Sequence, residues 1–136
     1  VKVYRQAAEQ GLVMAQYALG RCYELGTGVV QDEDAAVKLY RQAAEQGLAK
    51  AQHALGRRYE SGTGIAKDFA AAARLYRLAA DQGFACSQYA IGSYCMLGRG
   101  VTHDVTEAAR YFRLSADQGD AYAQRWLGFL CEHGKG

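Results

Sequence analysis

The side chains able to do chemistry are few and scattered. His53, His103 and His133 fall at three different positions relative to the rest of the pattern, and none has an acid or nucleophile spaced to make a proton-transfer pair. His103 directly precedes Asp104 and reads as a surface residue. Cys131 and His133, with Cys95, would offer three metal ligands, but no CxxC or HxxxH pair supports a metal site. Cys86 and Cys95 lie on one predicted helix about 13 Å apart along its axis, beyond the ~7 Å between Cα atoms that a disulfide can span. Cys22, Cys86, Cys95 and Cys131 are therefore all expected to be reduced, which favours a reducing compartment. The glycine loops Gly26-Thr27-Gly28, Gly62-Thr63-Gly64 and Gly98-Arg99-Gly100 follow no strand and lack the spacing of a phosphate-binding loop. The expectation is a chain with no catalytic residue, no metal and no cofactor.

What does recur is architecture. The cassette YRQAAEQG stands at 4–11 and 40–47, YRLAADQG at 76–83 and FRLSADQG at 112–119, each 36 residues from the last with no insertion or deletion. A period of that size marks a stacked repeat array, in which each unit packs only on its neighbours. The units read as a half repeat at 1–11, full repeats at 12–47, 48–83 and 84–119, and a half repeat at 120–136, together one repeat domain and an expected piece of a longer array. Half the residues are apolar and proline is absent, a composition suited to packed helices and not to a disordered linker. The net charge of +2 is too small to imply a polyanion partner, and acidic and basic residues are interspersed. No apolar run approaches the ~20 residues needed to span a bilayer, so no direct membrane insertion is expected.

Each unit reads as helix A, a glycine loop and helix B. Helix A is expected over roughly 13–25, 49–61, 85–97 and 121–133, with Leu12, Ala15, Leu19 and Tyr23 forming the first buried stripe. Gly20, Gly56, Gly92 and Gly128 sit mid-helix, where glycine costs about 1 kcal/mol relative to alanine. A cost repeated four times implies close approach of a bulky neighbour, and the rings of Tyr40, Tyr76 and Phe112 are the candidates. Helix B opens at Asp32, Asp68 or Asp104, each placed to cap the first turn, and Asp104 with Glu107 fits a capping box. Its first buried stripe is Ala36, Leu39, Tyr40, Ala43 and Ala44, leaving Lys38, Arg41 and Glu45 in water. The short links force antiparallel neighbours, so the fold expected is all-α, an α-solenoid of helix pairs forming a curved superhelix.

The pattern ALG..Y..G.GV..D...A...Y..AA.QG, read from Ala18 to Gly47, resembles the Sel1-like repeat family, a relative of the tetratricopeptide repeat. The resemblance covers the whole chain; Trp126 departs from a repeated alanine, and Cys95 and Cys131 from a repeated tyrosine, a slot that looks buried. It implies a non-catalytic adaptor that holds other proteins together. The cysteine-rich secreted branch, with its disulfides between helices A and B and the hydrolase activities ascribed to it, is disfavoured because no helix B here contains cysteine. A helical repeat that reads nucleic acid is the other alternative, and the near-neutral charge and different repeat signature oppose it.

By the same resemblance, the variable stripe of helix A is where a concave groove would grip a protein or extended peptide. The stripe comprises Met14, Tyr17, Arg21 and Glu24, then Lys50, His53, Arg57 and Glu60, then Cys86, Tyr89, Ser93 and Met96, then Tyr122, Arg125, Phe129 and Glu132. Arg21, Lys50, His53 and Arg57 make a basic patch suited to an acidic segment, beside an apolar patch of Tyr17, Tyr89, Met96 and Phe129. Against that stands mutual pairing of Arg21 with Glu24 and of Arg57 with Glu60, one turn apart. The opening helix B has no helix A before it and the closing helix A no helix B after it, so both are expected to expose apolar stripes through which the chain self-associates.

Overall fold

The computed structural model describes residues 2–132, and every described element is helical. In order they are α1 (Lys2–Glu9), α2 (Val13–Leu25), α3 (Glu33–Glu45), α4 (Ala49–Ser61), α5 (Phe69–Asp81), α6 (Ala85–Leu97), α7 (Val105–Asp117) and α8 (Ala121–Glu132). The chain divides into two compact units, Val1–Asp68 with α1 to α4 and Phe69–Gly136 with α5 to α8. Within each unit every helix packs on the next in sequence.

In the first unit the helix boundaries follow local chemistry. Asp32, extended at φ −150°, accepts a hydrogen bond from the Ala35 amide at 3.1 Å and starts α3. Gly26, at φ 71°, ends α2 in the left-handed conformation and returns its N–H to the Cys22 carbonyl. The antiparallel pairing of α2 and α3 is fixed at two levels. Near the start of α2, the Gln46 side-chain amide donates to Gln16 Oε1 at 2.7 Å. One turn further from that end, Gly20 faces the Tyr40 ring, and a Cβ on Gly20 would lie 2.9 Å from Tyr40 Cε1. Glycine is therefore a steric requirement of this packing. Ala36, Tyr40, Ala43 and Ala44 are buried and Leu39 half-buried, while Lys38, Arg41 and Glu45 are exposed.

The helix A stripe departs from expectation at its edges. Leu12 is 54 % exposed because it precedes α2 as an extended residue. Tyr23 is half-buried, its ring at the edge and its hydroxyl accepting from Arg5 at 3.4 Å. The loop glycines also do more than relax the backbone. A Cβ on Gly64 would lie 2.8 Å from the Glu33 carbonyl oxygen, so the loop after α4 rests directly on the first turn of α3.

The second unit repeats these joints. A Cβ on Gly92 would lie 2.8 Å from both Cδ1 and Cε1 of the fully buried Phe112. Gln118 donates to Gln88 Oε1 at 2.8 Å, and a Cβ on Gly100 would lie 2.4 Å from the Phe69 carbonyl oxygen. Asp104 accepts from the Glu107 amide at 3.0 Å, but the capping box is not closed. The Asp104 N–H donates to the Cys95 carbonyl, and the Glu107 carboxylate turns instead to Arg110 at 2.9 Å and Arg77 at 3.6 Å. The expected burial of Cys131 is corrected: Cys95 is buried and Cys131 exposed, since among the described residues no helix covers the far side of α8. All four cysteines are free thiols. No helix among the described residues is long and apolar enough to cross a membrane.

Candidate functional site

In the first unit the variable stripe is carried by α2 and α4. Met14, Arg21, Lys50 and Arg57 are exposed, whereas Tyr17 and His53 are half-buried. Tyr17 lies against the Tyr40 ring, centroids 5.8 Å apart, and so belongs partly to the packing. The pairing of Arg21 with Glu24 does not form. The Glu24 carboxylate turns inward, 2.9 Å from Arg58, and accepts a hydrogen bond from the Tyr40 hydroxyl. Arg58 also pairs with Glu33, so one guanidinium ties α2 and α3 to α4. Burial would raise the Glu24 carboxyl, but the Tyr40 hydroxyl and the Arg58 charge outweigh it and hold Glu24 below its ordinary value. Among the described residues, Arg21, Lys50 and Arg57 enter no ion pair. Burial and then the Arg57 charge depress His53 to about 4, so it adds no positive charge near neutrality. Arg57 and Arg58 border a groove of about 300 Å³ between Glu24, Ala54, Glu60 and Thr63.

In the second unit the stripe lies on α6 and α8 and is aromatic. Tyr89, half-buried, lies 5.9 Å from the Phe112 ring and 5.7 Å from that of Tyr122. Tyr122 is 62 % exposed and Phe129 47 % exposed. The Arg125 guanidinium sits 5.8 Å above the Tyr122 ring. Trp126, absent from the expected site, joins them. It stacks on Phe112 at 5.5 Å and 5° and meets Phe129 edge-on at 5.9 Å. Tyr89, Tyr122, Arg125, Trp126 and Phe129 together line a shallow groove of about 290 Å³. The signal for Trp126 was its departure from the repeated alanine. Ser93 and Met96 are half-buried, and the Ser93 hydroxyl is enclosed without a hydrogen-bond partner.

A further concavity of about 520 Å³ lies away from both stripes between α1, α2 and α3, bordered by Arg5, Gln16, Tyr23, Lys38 and Gln42. Two of its polar groups meet each other, in the Arg5 to Tyr23 hydrogen bond. Among the described residues no group of three or more His, Cys, Asp or Glu converges to hold a metal ion, and His133 lies outside them. Burial pushes the Cys95 thiol up, which keeps it protonated and unreactive.

Comparison with known proteins agrees with this architecture. The Sel1 repeat model matches residues 4–12, 13–48, 49–84, 87–120 and 121–136. The structure of c5321, a protective antigen present in uropathogenic Escherichia coli strains and displaying an SLR fold, superposes with a TM-score of 0.95 at 40% identity. That match covers 98% of this chain and 28% of the antigen. A Sel1 repeat protein from Oxalobacter formigenes gives a TM-score of 0.90 at 38% identity, over 93% of this chain and 52% of its own. The chain thus spans about a quarter and about half of these two proteins. Cysteine rich protein B of Helicobacter pylori shares the fold, with a TM-score of 0.73 at 23% identity over 93% of this chain and 96% of that one. No curated protein matches the chain. Repeats in register, glycine joints matched to aromatic rings and a family match over nearly every residue lead to one conclusion: this chain belongs to the Sel1 repeat family, an all-helical solenoid fold whose members generally serve as protein-interaction scaffolds.

Proposed function

We propose that the chain is a non-catalytic adaptor whose helix A stripe binds an acidic segment of a partner protein, with Arg21, Lys50 and Arg57 as the electrostatic anchor. The observation that supports this is the diversion of Glu24 onto Arg58 and Tyr40, which leaves the exposed cations of α2 and α4 without ion-pair partners. An arginine so placed engages a carboxylate through two parallel hydrogen bonds at little cost in reorganisation. The exposed rings of Tyr122 and Phe129 beside Arg125 offer the second unit a separate surface, suited to an apolar side chain next to a carboxylate.

Fluorescence anisotropy with a labelled Asp/Glu-rich peptide tests the reading. The double variant Arg21→Glu, Arg57→Glu should bind at least about tenfold more weakly, a loss of roughly 1.4 kcal/mol, with its helical circular dichroism intact. Equal affinity in the double variant would remove the anchor. Salt-sensitive capture of RNA in place of the peptide would move the function to nucleic acid.

A further inference from the structure

Arg58 stands where the repeat pattern does not need a charge. The same position is Cys22 in α2, Tyr94 in α6 and Leu130 in α8, and each of those helices packs on its predecessor without a cation there. The Arg58 side chain is only 13 % exposed and is clasped from two helices. Nη2 lies 2.9 Å from Glu24 Oε1 of α2, and Nη1 donates to Glu33 Oε2 of α3. The other Glu33 oxygen is steadied by the Gln31 side-chain amide at 3.2 Å. Glu24 Oε1 also accepts from the Tyr40 hydroxyl. Burial and the hydrogen bond to Glu24 push that hydroxyl above its ordinary value, which keeps it a donor. A largely buried ion pair adds little net stability over an apolar contact, because desolvation offsets much of the attraction. Packing is then a poor account of Arg58, and its effect on neighbouring charges is a better one.

Glu24 has two other cations close to it. Arg21 precedes it by three residues on α2, a spacing at which side chains meet on a helix surface. Arg57 borders the same groove of about 300 Å³ as Glu24 and Arg58. Both are exposed, and among the described residues neither enters an ion pair. A carboxylate released at position 24 would pair with one or the other and compete with a partner's carboxylate for the same donors.

We propose that Arg58 is a positioning residue of the acidic-segment site, an inference that rests on the function proposed above. It holds Glu24 against Tyr40, away from Arg21 and Arg57, and so keeps both guanidiniums open to the partner without touching the partner itself. Affinity is thereby set by a side chain outside the stripe, acting through a carboxylate within it.

Anisotropy with the labelled Asp/Glu-rich peptide tests this, with circular dichroism to show each variant folded. Arg58→Met should weaken binding about threefold or more, the effect of one exposed ion pair formed in competition. Adding Glu24→Gln to Arg58→Met should restore affinity to within about twofold of wild type. Adding Glu45→Gln instead returns the net charge equally, from an exposed position at the far end of α3, and should restore nothing. Glu24→Gln alone should leave affinity within about twofold of wild type. Wild-type affinity in Arg58→Met, a loss that Glu24→Gln does not reverse, or equal rescue by Glu45→Gln would each overturn the positioning role while the peptide site stands. Should Arg58→Met not fold, the single Glu24→Gln variant decides: a gain of about threefold or more would show the carboxylate already competing in the wild type and overturn the proposal. A wild type that does not bind the peptide, or binding unchanged in Arg21→Glu, Arg57→Glu, would remove the peptide site and the positioning role with it.

Discussion

At Gly92 a single methyl group decides between two opposing effects. Alanine would recover up to about 1 kcal/mol of helix propensity, but its Cβ would meet two carbons of the buried Phe112 ring at 2.8 Å. Overpacking of that kind costs about 1–3 kcal/mol, and a ring at 0 % exposure has nowhere to move. Gly92→Ala should therefore lower stability by about 1–2 kcal/mol. Gly128→Ala, with open space around it, should raise stability by about 0.5–1 kcal/mol. Urea midpoints of the two variants at low protein concentration check the contrast, and a stabilised Gly92→Ala would contradict the packing argument. The glycine and ring partnership was legible in the sequence because both members recur at constant offset. The fate of Glu24 was not: its nearest cation in sequence is Arg21, while the one it meets, Arg58, comes from a later helix.

The elements of the first unit are joined by that same carboxylate. Glu24 lies below its usual value in the folded chain, so its contribution is present above about 4.5 and is lost as pH falls through the depressed value. His53 is depressed from 6.5 to about 4, so the folded state binds its proton less readily than the unfolded state does. Its contribution is lost earlier, as pH falls from about 6.5 towards 4. Glu24→Gln should flatten the lower part of the acid limb of a stability curve and cost about 1–3 kcal/mol near neutrality. His53→Gln should flatten the upper part. Chemical denaturation across pH checks both, and an acid limb unchanged in either variant would refute that residue's share. Element boundaries were legible from caps and glycines, since Asp32, Asp104, Gly26 and Gly98 act locally. The glutamine pairs were not, because Gln16 and Gln46 stand 30 residues apart and meet only when α2 and α3 are placed side by side.

For the whole molecule, a net charge of +2 says little about partners; what matters is where unpaired charge and uncovered apolar surface remain. Binding of an acidic peptide through Arg21, Lys50 and Arg57 should weaken steeply as sodium chloride approaches about 1 M, where screening acts over about 3 Å. Anisotropy across a salt series checks this, and an affinity unchanged at about 1 M would argue against the electrostatic anchor. The fold was readable because the 36-residue period survives in every copy. The site was less so, since a stripe defined by variability mixes exposed residues such as Arg21 with half-packed ones such as Tyr17 and Tyr89.

Three joints recur at fixed offsets in both units: 20 residues from Gly20 to Tyr40 and from Gly92 to Phe112, 30 from Gln16 to Gln46 and from Gln88 to Gln118, and 31 from Glu33 to Gly64 and from Phe69 to Gly100. One inserted residue between Leu25 and Asp32 would pull the ring from its glycine and the amide from its acceptor at the same time. Such a chain has no cheap way to vary its loops, and can grow or shrink only by gaining or losing entire blocks, so copy number is the variable its evolution can adjust.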